Sequence, residues 1–284
     1  MLPLLAGLAS AVLMYALGTK LFASARAATV TAGIYALTPL LWYQLPGRPA
    51  SAYPLAFVAG WLVAVAYSED LRAPVWSALA GALLGLGMYG SHASAVMMPV
   101  YLFLTIAIVA PERATSRASL AFAGAFALAA APLAIATIRH PDEFRRTVTA
   151  YHMYDAYRLN VLQGAHEMVS WVSLTARSDT YYGYFNPAFL FMTGRVLLFP
   201  LVVLLPAGVY RILITESAPL ARLALAGFLA APFAASLTAE RPTPERILFI
   251  ATFAAIISTY GVRQLLSKRD TGAHAGARTA AASA

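Results

Sequence analysis

Apolar residues occur along this chain in nine short runs, and almost every charge falls between the runs rather than inside them. The runs cover, to within a few residues, 3–18, 27–45, 53–67, 76–90, 94–110, 119–138, 196–213, 218–237 and 247–265. An α-helix needs about 20 apolar residues to cross a bilayer, and a lipid environment forces the backbone to bond within itself. The pattern therefore predicts an all-α, polytopic integral membrane protein with about nine transmembrane helices.

The stretch from residue 76 to residue 110 is too long for one crossing and short for two. Its best turn is Gly90-Ser91-His92, so we predict a helix on each side of it. The preceding run contains Gly81, Gly85 and Gly87. Because these glycines lie inside a run, we expect them to let helices pack closely and not to form a phosphate-binding loop.

Composition narrows the class of protein further. Of 284 residues, 60% are hydrophobic and 11% are charged, which is too much apolar surface for a soluble domain. The chain has no cysteine, and its net charge of +8 comes from arginines at the ends of the runs. With no basic cluster carrying interleaved aromatics, we expect no nucleic-acid partner. The absence of cysteine excludes thiolate metal sites, and we expect no metal and no cofactor. The abundance of arginine over lysine, together with alanine, is typical of a GC-rich bacterial genome.

Loop charges indicate how the chain is oriented. Alternate short loops, beginning with Lys20 and Arg26, are richer in basic residues than the loops between them. By the positive-inside rule these loops are cytoplasmic, which gives a multi-pass protein of the bacterial plasma membrane with a cytoplasmic C-terminus. Nine crossings then place Met1 outside, without a basic segment before the first run. This arrangement predicts that an upstream segment is missing.

One long polar loop interrupts the runs. We divide the chain into membrane helices over 1–138, an extracytoplasmic loop over 139–186, membrane helices over 187–266 and a disordered cytoplasmic tail over 267–284. Within the loop, apolar residues at helical spacing from Val161 to Val172, with Trp171 nearby, predict a helix in the membrane interface. Tyrosines 151, 154 and 157 form a second interfacial candidate.

Several short motifs, in order along nearly the whole chain, resemble the C-type glycosyltransferase superfamily. They are similar to bacterial relatives of protein mannosyltransferases and lipid A aminoarabinose transferases. The motifs lie in residues 2–22, Ala36-Leu-Thr-Pro-Leu-Leu-Trp-Tyr-Gln, Gly47-Arg-Pro-Ala-Ser-Ala-Tyr-Pro, 81–90 with Met97-Met-Pro, His140-Pro-Asp-Glu-Phe-Arg-Arg, 184–194 and 234–246.

The resemblance implies an enzyme that takes a sugar from a polyprenyl-phosphate carrier and passes it to an acceptor outside the membrane. In that superfamily an acidic residue in the first outer loop activates the acceptor. This chain begins at what resembles the second helix, so that loop and its acid have no counterpart here. The acid is therefore expected from upstream residues or a partner chain.

Glycosyl transfer from a lipid phosphate needs cations that stabilise the departing phosphate. Arg48, Arg241 and Arg246 lie at helix ends on the predicted outer side, where a guanidinium can hold a phosphate bidentately. We therefore predict them as lipid-phosphate-binding residues. The alternative is that each arginine extends to lipid headgroups at a helix end.

Tyr53 and His92, also on the outer side, are the candidates for contact with the sugar or the acceptor. For His92 the alternative is a histidine that only caps a helix. The long loop supplies five acids, none isolated in an apolar run, and each can equally be a solvated charge. The catalytic residue is therefore left unassigned.

The sequence leads to one hypothesis and one alternative. The hypothesis is an N-terminally truncated membrane glycosyltransferase that uses a polyprenyl-phosphate-sugar donor and a lipid, glycan or protein acceptor. The alternative is a non-catalytic membrane protein that binds or moves a polyprenyl-linked lipid.

Overall fold

Helices account for nearly all the regular structure of the chain. The computed structural model describes residues 2–42, 53–69, 71–110, 115–150, 153–238 and 242–282, and within these ranges it contains no strand. The predicted all-α fold class is therefore confirmed. The helices are α1 (Leu2–Phe22), α2 (Ala25–Leu37), α3 (Tyr53–Tyr67), α4 (Pro74–Gly87), α5 (His92–Ile108), α6 (Ser116–Arg139), α7 (Pro141–Ala150), α8 (Val161–Met168), α9 (Trp171–Tyr184), α10 (Leu201–Ile214), α11 (Pro219–Ala230), α12 (Phe233–Ser236) and α13 (Ile250–Ala282).

Each predicted apolar run contains a helix. The doubtful stretch from residue 76 to residue 110 is divided as predicted, since α4 ends at Gly87 and α5 begins at His92. Ser91 caps α5: its hydroxyl accepts from the Ser94 N–H at 3.1 Å, while the Ser94 hydroxyl accepts from the Ser91 N–H at 2.8 Å. This reciprocal pair satisfies backbone groups at the helix start and fixes the turn.

Among the residues that the structure describes, three helical stretches are long and apolar enough to cross a membrane: Leu5–Phe22, Ser116–Arg139 and Pro219–Ser236. The apolar helices α3, α4, α5 and α10 are shorter, at 14 to 17 residues. At a rise of about 1.5 Å per residue, a 14-residue helix is about 21 Å long, against about 30 Å of hydrocarbon. The long apolar helices thus indicate association with a membrane, whereas the shorter apolar helices do not reach the length of a crossing.

Glycines set the closest helix contacts. A Cβ on Gly81 of α4 would overlap the carbonyl of Phe122 on α6, and one on Gly85 would lie 2.6 Å from the Cβ of Ala129. A Cβ on Gly87 would lie 2.7 Å from the Met98 side chain of α5. The prediction that these three glycines permit close packing is confirmed. Bare backbone lets two helices approach until their main chains touch.

A second pair of helices meets in the same way. A Cβ on Gly208 of α10 would overlap the carbonyl of Ile257 on α13, and one on Gly261 would overlap the carbonyl of Leu204. Gly208 belongs to α10 and Gly261 to α13, so each helix contributes one glycine to the contact. This pairing holds the C-terminal helix against α10.

The bundle has two distinct ends. Trp61 of α3 and Tyr101 of α5 stack at 5.2 Å near the middle of these two helices. A Cβ on Gly90, two residues before α5, would overlap Pro54, the second residue of α3, so both helices begin at the same end. That end also carries α7, α8 and α9, and we call it the loop end. At the other end the α1–α2, α3–α4 and α10–α11 turns lie close together, with the Lys20 ammonium 5.2 Å from the Tyr67 ring. We call it the turn end.

Helix α6 contains Pro132, which has no N–H to donate. Beside it, the hydroxyl of Tyr89 donates to the Ala129 carbonyl at 3.0 Å and accepts from the Leu133 N–H at 3.2 Å. The tyrosine thus bridges two backbone groups that would otherwise bond each other one helical turn apart. A side chain from the turn between α4 and α5 thus satisfies the backbone next to the proline.

Helix α13 begins at Ile250 and continues to Ala282. The disordered tail expected from residue 267 stays a prediction.

Replacing Gly81 tests the contact between α4 and α6. In Gly81→Ala the new methyl group meets a main-chain carbonyl that cannot rotate away, so we expect a loss of about 1–3 kcal/mol in the free energy of unfolding. The matched control is Gly124→Ala on α6, where a Cβ would meet nothing within 4 Å. Thermal unfolding followed by circular dichroism measures both. Equal stability of the two variants would show that this contact is not close.

Candidate functional site at the loop end

Helix α9 lies across the loop end of the bundle. Its contacts with α11, with the end of α12 and with the segment before α13 all come from one face, because the residues involved follow helical spacing. Those residues are Arg177, Tyr181, Tyr184 and Phe185, the last being the C-cap residue. A face two turns long that rests on the bundle fixes the direction of the helix.

The C-terminal half of α9 is attached at two levels. The Tyr181 hydroxyl donates to the Leu229 carbonyl at 2.8 Å. Tyr184 is fully buried, and its hydroxyl accepts from the N–H of Thr243 at 3.3 Å. Burial raises the pKa of Tyr181 above its ordinary value, and the neighbouring Tyr182 adds to this. The Tyr181 phenol therefore acts here as a neutral hydrogen-bonding group.

Arg177 joins three separate segments of the chain. Its Nε donates to the Leu237 carbonyl at 3.1 Å, its Nη1 to that of Met168 at 3.2 Å and its Nη2 to that of Met153 at 2.9 Å. Partial burial lowers the pKa of Arg177, and the negative charge of Glu167 acts in the opposite direction. The planar fork of the guanidinium suits this role, since its donors point in fixed directions. Arg177 is therefore a clamp between the long loop and the bundle.

Arg246 belongs to the short 3-10 helix Pro244–Ile247, immediately before α13. Its Nη1 donates to the hydroxyl of Thr238 at 2.6 Å, and that hydroxyl donates in turn to the Ala235 carbonyl at 2.9 Å. Thr238 is buried, Arg246 is half-buried, and the next residue, Ile247, is fully buried. The structure thus fixes a cation where the apolar interior of the bundle ends.

Arg177 and Arg246 donate hydrogen bonds to two consecutive residues. Arg177 holds the carbonyl of Leu237, and Arg246 holds the side chain of Thr238, which follows it. We call Arg177, Leu237, Thr238 and Arg246 the arginine network. A guanidinium at such a boundary can bind a phosphate or carboxylate group through two parallel hydrogen bonds. The arginine network is therefore chemically suited to an anionic group beside an apolar surface.

The predicted site residues divide into three groups. Arg48 and Arg241 lie outside the residues that the structure describes. Tyr53 and His92 are the first residues of α3 and α5, and these helix starts adjoin, because a Cβ on Gly90 would overlap Pro54. Arg246 belongs to the arginine network at the same end of the bundle.

The acidic residues of the long loop are exposed. Asp142 pairs with Arg145 at 3.5 Å, and Asp155 pairs with Arg158 at 3.3 Å. Glu143, Glu167 and Asp179 are also exposed. None of these five carboxylates is buried in an apolar setting. Across the described ranges, His, Asp and Glu form no group of three able to hold a metal.

Sequence reasoning missed Arg177, Tyr184 and Thr238. The hydrogen-bond partners of Arg177 are up to 60 residues away in the chain, and those of Tyr184 are 59 residues away. No local pattern marks such a contact. The sequence offered one weak indication of a structural role for Arg177. It follows an apolar stretch, whereas other arginines of the loop, such as Arg145 and Arg158, lie three residues after an acidic residue.

Comparison with known proteins finds no matching family model, no similar curated protein and no similar solved structure.

Arg177→Lys tests the clamp. A lysine ammonium cannot reach three carbonyls that the guanidinium holds from one plane, so the loop should open more often. Losing a charged hydrogen bond costs about 1.5–3 kcal/mol, which corresponds to roughly tenfold to a hundredfold faster cleavage between residues 153 and 170 under limited proteolysis. The control is Arg146→Ala on α7, an exposed arginine for which we expect unchanged cleavage. Cleavage of Arg177→Lys at the wild-type rate would contradict the clamp.

Proposed function

We propose that the chain is a membrane glycosyltransferase, which binds a polyprenyl-phosphate-linked sugar at the loop end and passes the sugar to an extracytoplasmic acceptor. The observation that carries the proposal is the position of Arg246. Its guanidinium is held by buried Thr238, and the next residue, Ile247, is buried in the apolar bundle. A cation at the edge of an apolar bundle supports the proposal, because a membrane lipid carries its phosphate at the edge of the hydrocarbon.

A polyprenyl phosphate makes two physical demands on its binding protein. The phosphate needs a cation with directed donors, which arginine supplies better than lysine. The isoprenoid chain needs an apolar surface that continues from that cation into the membrane. Leu229 and Phe233 lie four residues apart at the end of α11 and the start of α12, and both are exposed. Their side chains offer such a surface close to Thr238.

Orientation follows from the distribution of charge. We propose about nine crossings of the bacterial plasma membrane, with the turn end and the C-terminus in the cytoplasm. Lys20, Arg211 and Arg263 support this, because their contacts place them together at the turn end: Lys20 over Tyr67, Arg263 over Phe22 and Arg211 on Gln264. The positive-inside rule puts such an end in the cytoplasm. The arginine network then faces the extracytoplasmic side.

One observation favours the second candidate function, a non-catalytic protein that binds or moves a polyprenyl-linked lipid. The five acids of the long loop are all exposed. A general base needs a carboxylate placed within reach of the acceptor hydroxyl. Binding requires only the arginine network and the apolar surface, so it makes fewer demands on the residues described.

Variants of Arg246 test the phosphate contact. With the full chain in nanodiscs and a radiolabelled polyprenyl-phosphate-sugar panel, we expect Arg246→Ala to bind at least tenfold more weakly, since it loses a charged hydrogen-bonding fork. Arg246→Lys should bind with intermediate affinity. Arg117→Ala, which removes an exposed arginine at the start of α6, should bind like wild type. Wild-type affinity in Arg246→Ala would contradict the proposal that this residue holds the phosphate.

The same panel separates the two functions. Release or transfer of labelled sugar in membranes that carry the chain supports the enzyme. Tight lipid binding without release supports the non-catalytic protein. If the lipid neither binds nor reacts, both proposals fail.

A further inference from the structure

A cavity of about 370 Å³ lies in the long loop, between the start of α7 and the segment that leads into α8. This volume falls within the range of about 300–1,000 Å³ in which small molecules usually bind. Its lining combines three aromatic rings with three polar side chains. These are Phe144, Tyr154 and Tyr157, and Arg145, Arg158 and Asn160.

The ring of Tyr154 is held by the backbone of α8. Gly164 is buried, and a Cβ there would overlap the tyrosine ring, whose Cζ would lie 2.6 Å away. The start of α8 is itself fixed, because Gln163 N–H donates to the Asn160 side chain at 2.8 Å and Asn160 N–H donates to the Gln163 side chain at 3.1 Å. Tyr154 is therefore an aromatic wall with a fixed position.

Asp155 organises the next part of the wall. Its Oδ1 accepts from the N–H groups of Tyr157 and Arg158 at 3.1 and 3.3 Å. Its Oδ2 lies 3.3 Å from the Nε of Arg158. One carboxylate thus orients both the backbone and the guanidinium that border the cavity. Such local bonds order a loop that would otherwise be free to move.

The charges at the cavity are balanced. Arg145 pairs with Asp142, and Arg158 pairs with Asp155. A charged ligand would have to compete with one of these pairs. An uncharged polyol would not, because paired groups still offer donors and acceptors to hydroxyls. Flat aromatic rings suit the apolar C–H faces of a sugar, whereas the polar groups suit its edge.

We propose that this cavity binds an uncharged saccharide unit. The proposal deepens the function given above, on which the role of the cavity as the acceptor site rests, and it narrows the acceptor to a glycan. The cavity is separate from Arg246, yet it is tied to the arginine network because Arg177 holds the carbonyl of Met153, the residue before Tyr154. Donor phosphate and acceptor sugar then have different sites at the same end of the bundle.

Saturation-transfer NMR on the full chain tests the binding itself. The protein is held in nanodiscs prepared without glycoside detergents, whose sugar headgroups would compete. The probes are the methyl glycosides of glucose, mannose, galactose and N-acetylglucosamine. We expect saturation of ring protons for at least one probe, with an affinity at least tenfold lower in Tyr157→Ala and nearly unchanged in Tyr157→Phe, which keeps the ring.

Two further variants complete the test. Gly164→Ala should weaken binding because it displaces the ring of Tyr154. Tyr182→Ala, which removes an exposed tyrosine of α9 that does not line the cavity, should bind like wild type. Because Tyr157 is 60% exposed, its removal should leave the thermal unfolding midpoint unchanged.

Three results would overturn the proposal: no probe saturates, binding persists unchanged in Tyr157→Ala, or inorganic phosphate displaces the sugar at equal concentration. Arg246→Ala separates this proposal from the proposed function. It should lose lipid binding and keep sugar binding. If the wild-type chain binds the sugar but does not bind the lipid, that result would therefore count only against the proposed function.

Discussion

Backbone amide groups inside a bilayer have no water to bond with, so each must find its partner within the protein. This constraint explains why every apolar run contains a helix and why a proline in α6 is accompanied by the hydroxyl of Tyr89, from the turn between α4 and α5. It also explains the glycines. Helices without hydrophobic driving force between them associate by close packing, and Gly81 and Gly208 allow main chains to touch. Polar side chains therefore lie mainly at the loop end and the turn end of the bundle.

Two arginines and a cavity define the chemistry of the loop end. Arg177 binds three carbonyls and so fixes the loop on the bundle, while Arg246 is held beside it by Thr238. The first arginine is a positioning residue because its guanidinium donates to three main-chain carbonyls. The second lies nearer the apolar interior and is the one we assign to phosphate. The loop cavity is lined by aromatic rings and by arginines in balanced ion pairs. The loop end thus combines Arg177, which holds the loop, Arg246, which we assign to phosphate, and a cavity without net charge.

The periodicity of apolar residues was sufficient to predict the fold class, the runs that become helices and the turn at Gly90, since these depend on local sequence. The candidate site was predictable only in part. Arg246 could be proposed from its place at the end of a run, but its partner Thr238 could not. The role of Arg177 depends on carbonyls 9, 24 and 60 residues away, which no short pattern reveals. The short apolar runs also predicted short helices, since α4, with 14 residues, corresponds to the run over 76–90 and is shorter than a crossing requires.

The central claim is that the arginine network at the loop end binds the phosphate of a polyprenyl lipid. The most direct measurement is photocrosslinking of the full chain in native-like membranes with a polyprenyl phosphate that carries a photoreactive group beside the phosphate. Peptide mapping should place the crosslinks in residues 229–249, around Leu229, Thr238 and Arg246, and excess unlabelled lipid should remove them. Crosslinks confined to the turn end, near Lys20 or Arg211, would contradict the account.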